Sequence, residues 1–202
     1  MHRIFTLIFC HNLIEVIALI QSDPGAVRER TESELKSTPL HVASQEGHVD
    51  ICRYLLDHGA EVNSRRSDGL TPLHVSCKTG HVEVTRLLLS RGADVAAVDK
   101  QLFTPLHYAA VTEHSDCVAA LLKYRPDIHM KNNIGNTALD LACQSGDKKS
   151  VKLLCDRGAK LSYAIDGSTA IHRAAQHNYH EIVEMLVSRY NWDVNTVSTL
   201  LS

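Results

Sequence analysis

The amino-acid sequence predicts an all-α repeat solenoid, in which helix-turn-helix units are stacked and joined by β-turn fingers. The main observation is a phrase, Thr-Pro-Leu-His in its best copies, that recurs five times. The threonines that open the copies are 33, 33, 33 and 32 residues apart, at Thr38, Thr71, Thr104, Thr137 and Thr169. Such a regular period indicates one supersecondary unit packed on copies of itself, without a central active site.

Composition favours one continuous domain. Of the 202 residues, 44% are hydrophobic, enough for a shared core, and only 5% are aromatic, because Leu, Val, Ile and Ala fill the apolar positions. The formal net charge of −2 provides no basic face of the kind that contacts phosphates. We therefore expect no nucleic-acid partner.

Residues 1–37 are expected to form a degenerate N-terminal capping repeat. Residues 13–27 match the second helix and loop of a repeat, with a loop about three residues longer. Residues 4–10 are either the remnant first helix or a secretory signal, and His11, Asn12 and Glu15 interrupt the apolar region that a signal needs. No stretch offers the roughly twenty uncharged apolar residues of a membrane span, so we expect no direct membrane insertion.

Each repeat supplies the start and the end of its helices. The threonine hydroxyl caps the first turn, and the proline sits where its missing N–H costs nothing. Glycines suited to a left-handed stop follow the first helix at Gly47, Gly80 and Gly146, and the second at Gly59, Gly92 and Gly158. The predicted helix pairs span residues 38–57, 71–90, 104–124, 137–156 and 169–189. Polar residues between them, such as 61–69, predict a loop with a turn at its end.

This pattern resembles the ankyrin repeat. The resemblance covers residues 38–195, and residues 47–63 match the family's second-helix phrase almost throughout. It implies a curved ankyrin-repeat solenoid whose concave side is lined by first helices and fingertips, and which binds proteins without catalysis. It also implies that the motif histidines link neighbouring repeats through ring hydrogen bonds. The expected repeats, numbered one to five, are 38–70, 71–103, 104–136, 137–168 and 169–202.

The C-terminal end leaves two alternatives. The next copy of the phrase would fall near residue 203, one position beyond Ser202. Terminal repeats of solenoids normally carry a polar cap. Either the chain belongs to a longer array, which we favour, or residues 197–201 fold back as a cap.

The cysteines indicate a reducing compartment. Five of the six fall on apolar or small-residue positions of the repeat, where a thiol acts as a small apolar side chain. They are Cys52, Cys77, Cys117, Cys143 and Cys155. With no C-x-x-C pair in the chain, we expect a cytoplasmic location, with the nucleus as the alternative.

No metal, cofactor or catalytic site is expected. Seven of the thirteen histidines occupy fixed repeat positions, and His177 and His180 straddle the expected helix stop at Asn178, which keeps them from sharing one helical face. Nucleophile, metalloprotease and phosphate-loop motifs do not occur. Asp140 replaces the motif histidine in repeat four and is expected to be a surface or capping residue. We therefore expect no enzyme activity and no small-molecule substrate.

Partner recognition is expected at positions that the repeat does not dictate, namely the fingertips and the last turns of the first helices. Leu102 and Phe103 form an apolar pair on one finger, where other fingers place glycine, and Val111 lies on the facing helix. The alternative is that the pair packs against the neighbouring finger. The candidate partner-binding residues are Leu70, Lys78, Lys100, Gln101, Phe103, Val111 and Ile134.

Repeat three is irregular. Glu113 stands where the first helix should end in glycine, and Arg125-Pro126 replaces Gly-Ala after the second helix. A non-glycine residue in the left-handed conformation costs about 1 kcal/mol. We expect the second helix to end differently here.

One asparagine is a candidate for modification. Leu55 lies eight residues before Asn63, with Glu61-Val62 between them, which resembles the finger sequence hydroxylated on asparagine in many ankyrin proteins. Asn195 and His129 occupy similar positions. The alternative is that Asn63 only stabilises its turn by side-chain hydrogen bonds.

The leading functional hypothesis is a non-catalytic scaffold or adaptor that binds a partner protein on its concave surface. The alternative is that the chain is the cytosolic ankyrin array of a longer protein, such as a membrane channel or signalling enzyme.

Overall fold

The computed structural model of the chain describes residues 3–192, which fold into α-helices in consecutive pairs. The helices are α1 (Arg3–Phe9), α2 (Leu13–Ser22), α3 (Pro39–Glu46), α4 (Val49–Asp57), α5 (Pro72–Thr79), α6 (Val82–Ser90), α7 (Pro105–Val111), α8 (Ser115–Leu121), α9 (Ala138–Ser145), α10 (Lys148–Asp156), α11 (Ala170–Gln176) and α12 (His180–Tyr190). Two 3₁₀ turns, Pro24–Arg28 and Leu122–Tyr124, complete the regular structure. Because this part of the chain contains no strand, the predicted all-α repeat solenoid is confirmed.

The helices form two layers. Each odd-numbered helix packs on the next odd-numbered helix, and each even-numbered helix packs on the next even-numbered one. A single hydrophobic core runs between the layers from Ile4 to Leu186. The leucine after the phrase proline is fully buried in repeats one and two, as Leu40 and Leu73. The conserved spacing of the phrase therefore places one core residue at the same depth in successive repeats.

Every first helix of the five repeats begins with the same cap. In repeat one the Thr38 N–H donates to Nδ1 of His41 at 3.2 Å, and the His41 N–H faces the Thr38 hydroxyl oxygen at 3.4 Å. Asp140 takes the place of the histidine in repeat four, accepting from the Thr137 N–H at 2.8 Å. Asp140 is therefore a capping residue as predicted, but it is buried and not at the surface.

The motif histidines join neighbouring repeats, as the family resemblance implied. Because Nδ1 accepts from the threonine, Nε2 carries the proton and donates to a carbonyl of the next finger. His41 reaches Leu70 O at 3.0 Å, and His74 reaches Phe103 O at 3.0 Å. Burial lowers the pKa of both imidazoles to about 4, so they remain neutral donors at physiological pH.

The glycines that end the first helices lie under an aromatic ring of the next repeat. Gly47 has a left-handed φ of 77°, and a β-carbon there would lie 2.6 Å from Nδ1 of His81. His114 covers Gly80 in the same way. These positions need glycine twice over, for the backbone angle and for the space that the ring occupies.

Repeat three departs from this arrangement. Glu113 adopts a φ of 63°, and the next repeat places the smaller Asp147 at the position that holds a ring elsewhere. The second helix also ends differently, as predicted. Helix α8 ends at Leu121 and is followed by the 3₁₀ turn Leu122–Tyr124, which is closed by Arg125 with a φ of 51°.

The N-terminal helix pair packs on repeat one. Ile4, Phe5 and Ile8 of α1 are buried in the core, and α1 contacts α3 while α2 contacts α4. Its role as a cap stays a prediction. The proposed C-terminal cap at residues 197–201, and Asn195, lie outside the described residues.

The five cysteines expected at buried positions are all buried free thiols, whereas Cys10 is exposed. In the part of the chain from residue 3 to residue 192, no helix has the length and apolar character needed to cross a bilayer.

Candidate partner-binding surface

Neighbouring fingers are held side by side by backbone hydrogen bonds. In each case an N–H near one fingertip donates to a carbonyl at the preceding fingertip, over 2.8 to 3.3 Å. The pairs are Ser67 to Leu35, Lys100 to Asp68, Asn133 to Gln101 and Ile165 to Ile134. The five fingertips therefore form one continuous row.

The last turns of the first helices lie beside this row. Nζ of Lys78, at the end of α5, lies 5.6 Å from the centre of the Tyr108 ring, and that ring lies 5.3 Å from Phe103. A second set of contacts joins repeats three to five, since Arg173 donates to Asn136 of one finger at 2.9 Å and faces Gln144 at the end of α9 at 3.4 Å. We call the surface made by the fingertips and these helix ends the finger face.

Asp99 builds the finger that ends repeat two. Its Oδ1 accepts from the N–H groups of Gln101 at 2.9 Å and Phe103 at 2.8 Å, which closes the turn. Its Oδ2 accepts from the Tyr108 hydroxyl at 2.8 Å. Burial and the neighbouring Asp99 carboxylate raise the pKa of Tyr108 well above its usual range, so the phenol stays protonated and keeps donating.

Leu102 occupies the left-handed position of its finger, with a φ of 60°, where three of the other fingers have Gly69, Gly135 and Gly167 and the first has Lys36. Its side chain is 47% exposed. A leucine in this conformation is strained by about 1 kcal/mol, and it displays apolar surface to solvent. The left-handed position itself does not require an apolar side chain, since glycine and Lys36 occupy it in the other fingers.

Phe103 is not displayed in the same way. It is partly buried, and its ring packs on Tyr108 and, at 5.6 Å, on His107 of the following repeat. The two members of the predicted apolar pair therefore differ, because Leu102 faces solvent and Phe103 supports the finger from below while keeping part of its ring accessible.

Leu70 has to be corrected. We expected it at the surface as a partner-binding residue, but it is only 4% exposed. It precedes the motif threonine, at the position that Phe103 and Asn136 take in the next repeats, and its carbonyl accepts from His41. An aliphatic side chain at this position is drawn into the interface between repeats, so Leu70 offers nothing to a partner.

The other candidates are brought together. Lys78, Lys100 and Gln101 are exposed around the finger at 98–103, and Val111 is half-buried at the end of α7. Ile134, 51% exposed, sits on the adjacent fingertip. Sequence reasoning missed Tyr108 and Asp99, which hold this group in place, and Leu35, which is 42% exposed on the first fingertip. The signal for Asp99 was its position four residues before the aromatic residue that it anchors.

Asn63 links two loops. Its Oδ1 accepts from the Asp94 N–H at 2.8 Å, and its Nδ2 lies 3.4 Å from Gly92 O. Asn63 therefore does more than stabilise its own turn, because these hydrogen bonds reach the corresponding loop of the next repeat.

The described residues contain no cluster of three or more His, Cys, Asp or Glu side chains that a metal ion would need. A cavity of about 340 Å³ opens beside the first finger, lined among others by Phe5, Phe9, Leu35 and Val42.

Comparison with known proteins gives a consistent result. A family model described as ankyrin repeats matches the chain three times, over residues 7–99, 62–132 and 106–198. The mouse protein fem-1 homolog A-like is 41% identical in an alignment of 162 positions, which covers 75% of this chain and 25% of that protein.

Two shorter matches are similar in kind. Alpha-latrotoxin-Lt1a of Latrodectus tredecimguttatus is 36% identical over 58 residues, 29% of this chain and 4% of the toxin. The serine/threonine-protein kinase VIK of Arabidopsis thaliana is 45% identical over 47 residues, 23% of this chain and 10% of the kinase. The chain spans a quarter or less of the length of these three relatives.

Proposed function

Because the chain belongs to the ankyrin-repeat family, we propose that it is a non-catalytic scaffold or adaptor that binds another protein. Repeats of this family generally mediate protein–protein interaction, and the family is typically without catalytic activity. The partner binds on the finger face, which is expected to be the concave side of the solenoid. Residues 1–37 act as a cap for the five repeats at 38–202.

The observation that carries this proposal is the exposure of large apolar side chains on adjacent, hydrogen-bonded fingertips. Leu102 and Ile134 are each about half exposed, and the strained backbone of Leu102 has no benefit to stability. Apolar side chains at the centre of a rigid surface are typical of residues that dominate binding energy. The binding residues in this proposal are Lys78, Lys100, Gln101, Phe103, Val111 and Ile134, with Leu102 added.

The test is affinity capture from source cells with three forms of the protein. The Leu102→Ser/Ile134→Ser double variant removes the apolar fingertips, and Ile14→Ser is the matched control because Ile14 is 81% exposed on α2, away from the fingers. We expect the wild type and the control to retain the same proteins and the double variant to lose them. Identical capture by all three would contradict the assignment of the finger face.

The cytosolic array of a longer protein is the second candidate. It is supported by the lengths of the relatives, because each of the three is at least four times longer than the segment it shares with this chain. Sequencing of the full transcript tests it, since an open reading frame that continues past residue 202 is expected. The five buried thiols support a cytoplasmic site for either candidate, with the nucleus as the alternative.

Hydroxylation of Asn63 is a further part of the proposal. The side chain is only half-buried, on an exposed loop, although its amide is engaged with Asp94 and Gly92. Mass spectrometry of protein from animal cells should show the mass of one added oxygen atom on the peptide that carries Asn63. A peptide found only at its unmodified mass would contradict the proposal.

A further inference from the structure

The central part of the finger face is positively charged, although the chain as a whole has a net charge of −2. The part concerned consists of fingers 65–70, 98–103 and 131–136 and the last turns of α5, α7 and α9, which we call the basic strip. It holds five cations and two carboxylates. The cations are Arg65, Arg66, Lys78, Lys100 and Lys131.

Both carboxylates of the basic strip are already engaged. Asp68 forms an ion pair with Arg66 at 2.5 Å, so the two charges of this pair offset each other. Asp99 is 6% exposed and accepts from two backbone N–H groups and from Tyr108. Neither carboxylate of the strip is unpaired, and the charge of Asp68, whose side chain is 34% exposed, is offset by Arg66, so an incoming basic group meets a net positive surface.

The cations, in contrast, are available. Among residues 3–192, neither Lys78 nor Lys100 forms an ion pair, and both are exposed. Lys78 lies over the ring of Tyr108, which limits the freedom of its side chain before any partner arrives. Arg65 and Lys131 donate only to backbone carbonyls, of Val98 and Tyr163 among others. A restrained, unpaired cation loses little entropy when it meets an anion.

Exposed apolar side chains lie between these charges. Leu102 and Ile134 sit on the fingertips next to Lys100, and Val111 lies on the helix behind them. The first finger, residues 32–37, lacks this excess of cations, because Glu32 and Glu34 stand against Lys36 alone. The finger face thus has both a preferred charge and a direction.

We propose that the finger face binds an acidic protein segment that carries at least one large apolar side chain. Carboxylates of the segment lie against Lys78 and Lys100, and the apolar side chain packs on Leu102 and Ile134. Complementary charge selects the segment and speeds its association, while the apolar contact supplies most of the retention. This inference rests on the proposed function and names the chemistry of the partner.

The test uses a phage-displayed library of random peptides, selected on the full chain. We expect the enriched peptides to be net negative and to contain Leu, Ile, Phe, Trp or Met. Lys78→Glu/Lys100→Glu should weaken the best synthetic peptide at least tenfold, and Lys152→Glu, an exposed lysine on α10 in the other layer, should leave its affinity within about twofold. Raising NaCl from about 50 to about 300 mM should weaken binding to the wild type several-fold, because the Debye length roughly halves. Circular dichroism verifies that each variant is folded.

Several outcomes would overturn the proposal, and they separate it from the function on which it rests. If the enriched peptides are neutral or basic but lose binding to Leu102→Ser/Ile134→Ser, the finger face binds proteins and the acidic chemistry is wrong. If the enriched peptides bind that variant as well as the wild type, or if no peptide is enriched, both the acidic chemistry of the partner and the assignment of the finger face as a protein-binding surface are wrong. Tighter binding of a random single-stranded oligonucleotide than of the best peptide would assign the basic strip to a different class of ligand.

Discussion

Replacing Gly47 with alanine changes two things at once, the backbone at the end of α3 and the space below the His81 ring. The residue has a φ of 77°, which costs alanine about 1 kcal/mol. The new β-carbon would lie 2.6 Å from Nδ1 and 2.7 Å from Cε1 of His81, so the ring has to move. That movement breaks the 2.9 Å bond from His81 Nε2 to Gln45 O, worth about 1 kcal/mol. We expect a total loss of about 2 kcal/mol in the free energy of unfolding.

The chain contains a matched control in Gly92. Its φ is 82°, and a β-carbon there would have nothing within 4 Å, so Gly92→Ala should show the backbone cost of about 1 kcal/mol alone. Urea unfolding followed by circular dichroism measures both variants, and a double-mutant cycle with His81→Ala isolates the ring contribution. Equal losses for Gly47→Ala and Gly92→Ala would refute the reasoning about the ring.

Three further predictions concern other parts of the chain. Burial lowers the pKa of His41 and His74 to about 4 in the folded state, so the unfolded state binds protons first as the pH falls below about 6.5. Each histidine should therefore lower the free energy of unfolding by about 2 kcal/mol between pH 7 and pH 5, and a urea midpoint that stays constant over this range would contradict the prediction. Leu102→Gly should stabilise the fold by up to about 1 kcal/mol and weaken partner binding at least fivefold. If the melting temperature does not rise and the affinity does not fall, Leu102 is not part of the binding site. Asn63→Ala should destabilise by about 1 kcal/mol through loss of the bond to Asp94, measured by thermal melting, with no change expected if the loops are held otherwise.

The fold was predictable because its determinants are local. The threonine cap, the proline after it and the glycine stop act within one repeat, and each is visible in a single copy of the phrase. The left-handed angles at Glu113 and Arg125 were predictable for the same reason, since each replaces a glycine whose conformation the fold requires. Neighbouring copies then reveal where the pattern changes.

The binding surface was less predictable because it depends on contacts between repeats. The Leu70 side chain is buried because of the interface with the adjacent repeat, and Asp140 is buried because helices pack around it. The contact of Lys78 with Tyr108 joins residues thirty positions apart, on different repeats. Aligning the copies shows which positions vary but gives no sign of which variable side chains touch each other.

The rings that cover the helix-ending glycines limit how this array can be lengthened by gene duplication. A second copy of repeat two would place His81 over Gly80, and that combination fits because the same ring already covers Gly47. A second copy of repeat three would place His114 over Glu113, where a β-carbon occupies the space of the ring. The junction accepts Asp147 because its side chain is smaller. Each repeat thus carries a matching rule for its successor, and insertions that respect the 33-residue period still fail when that rule is broken.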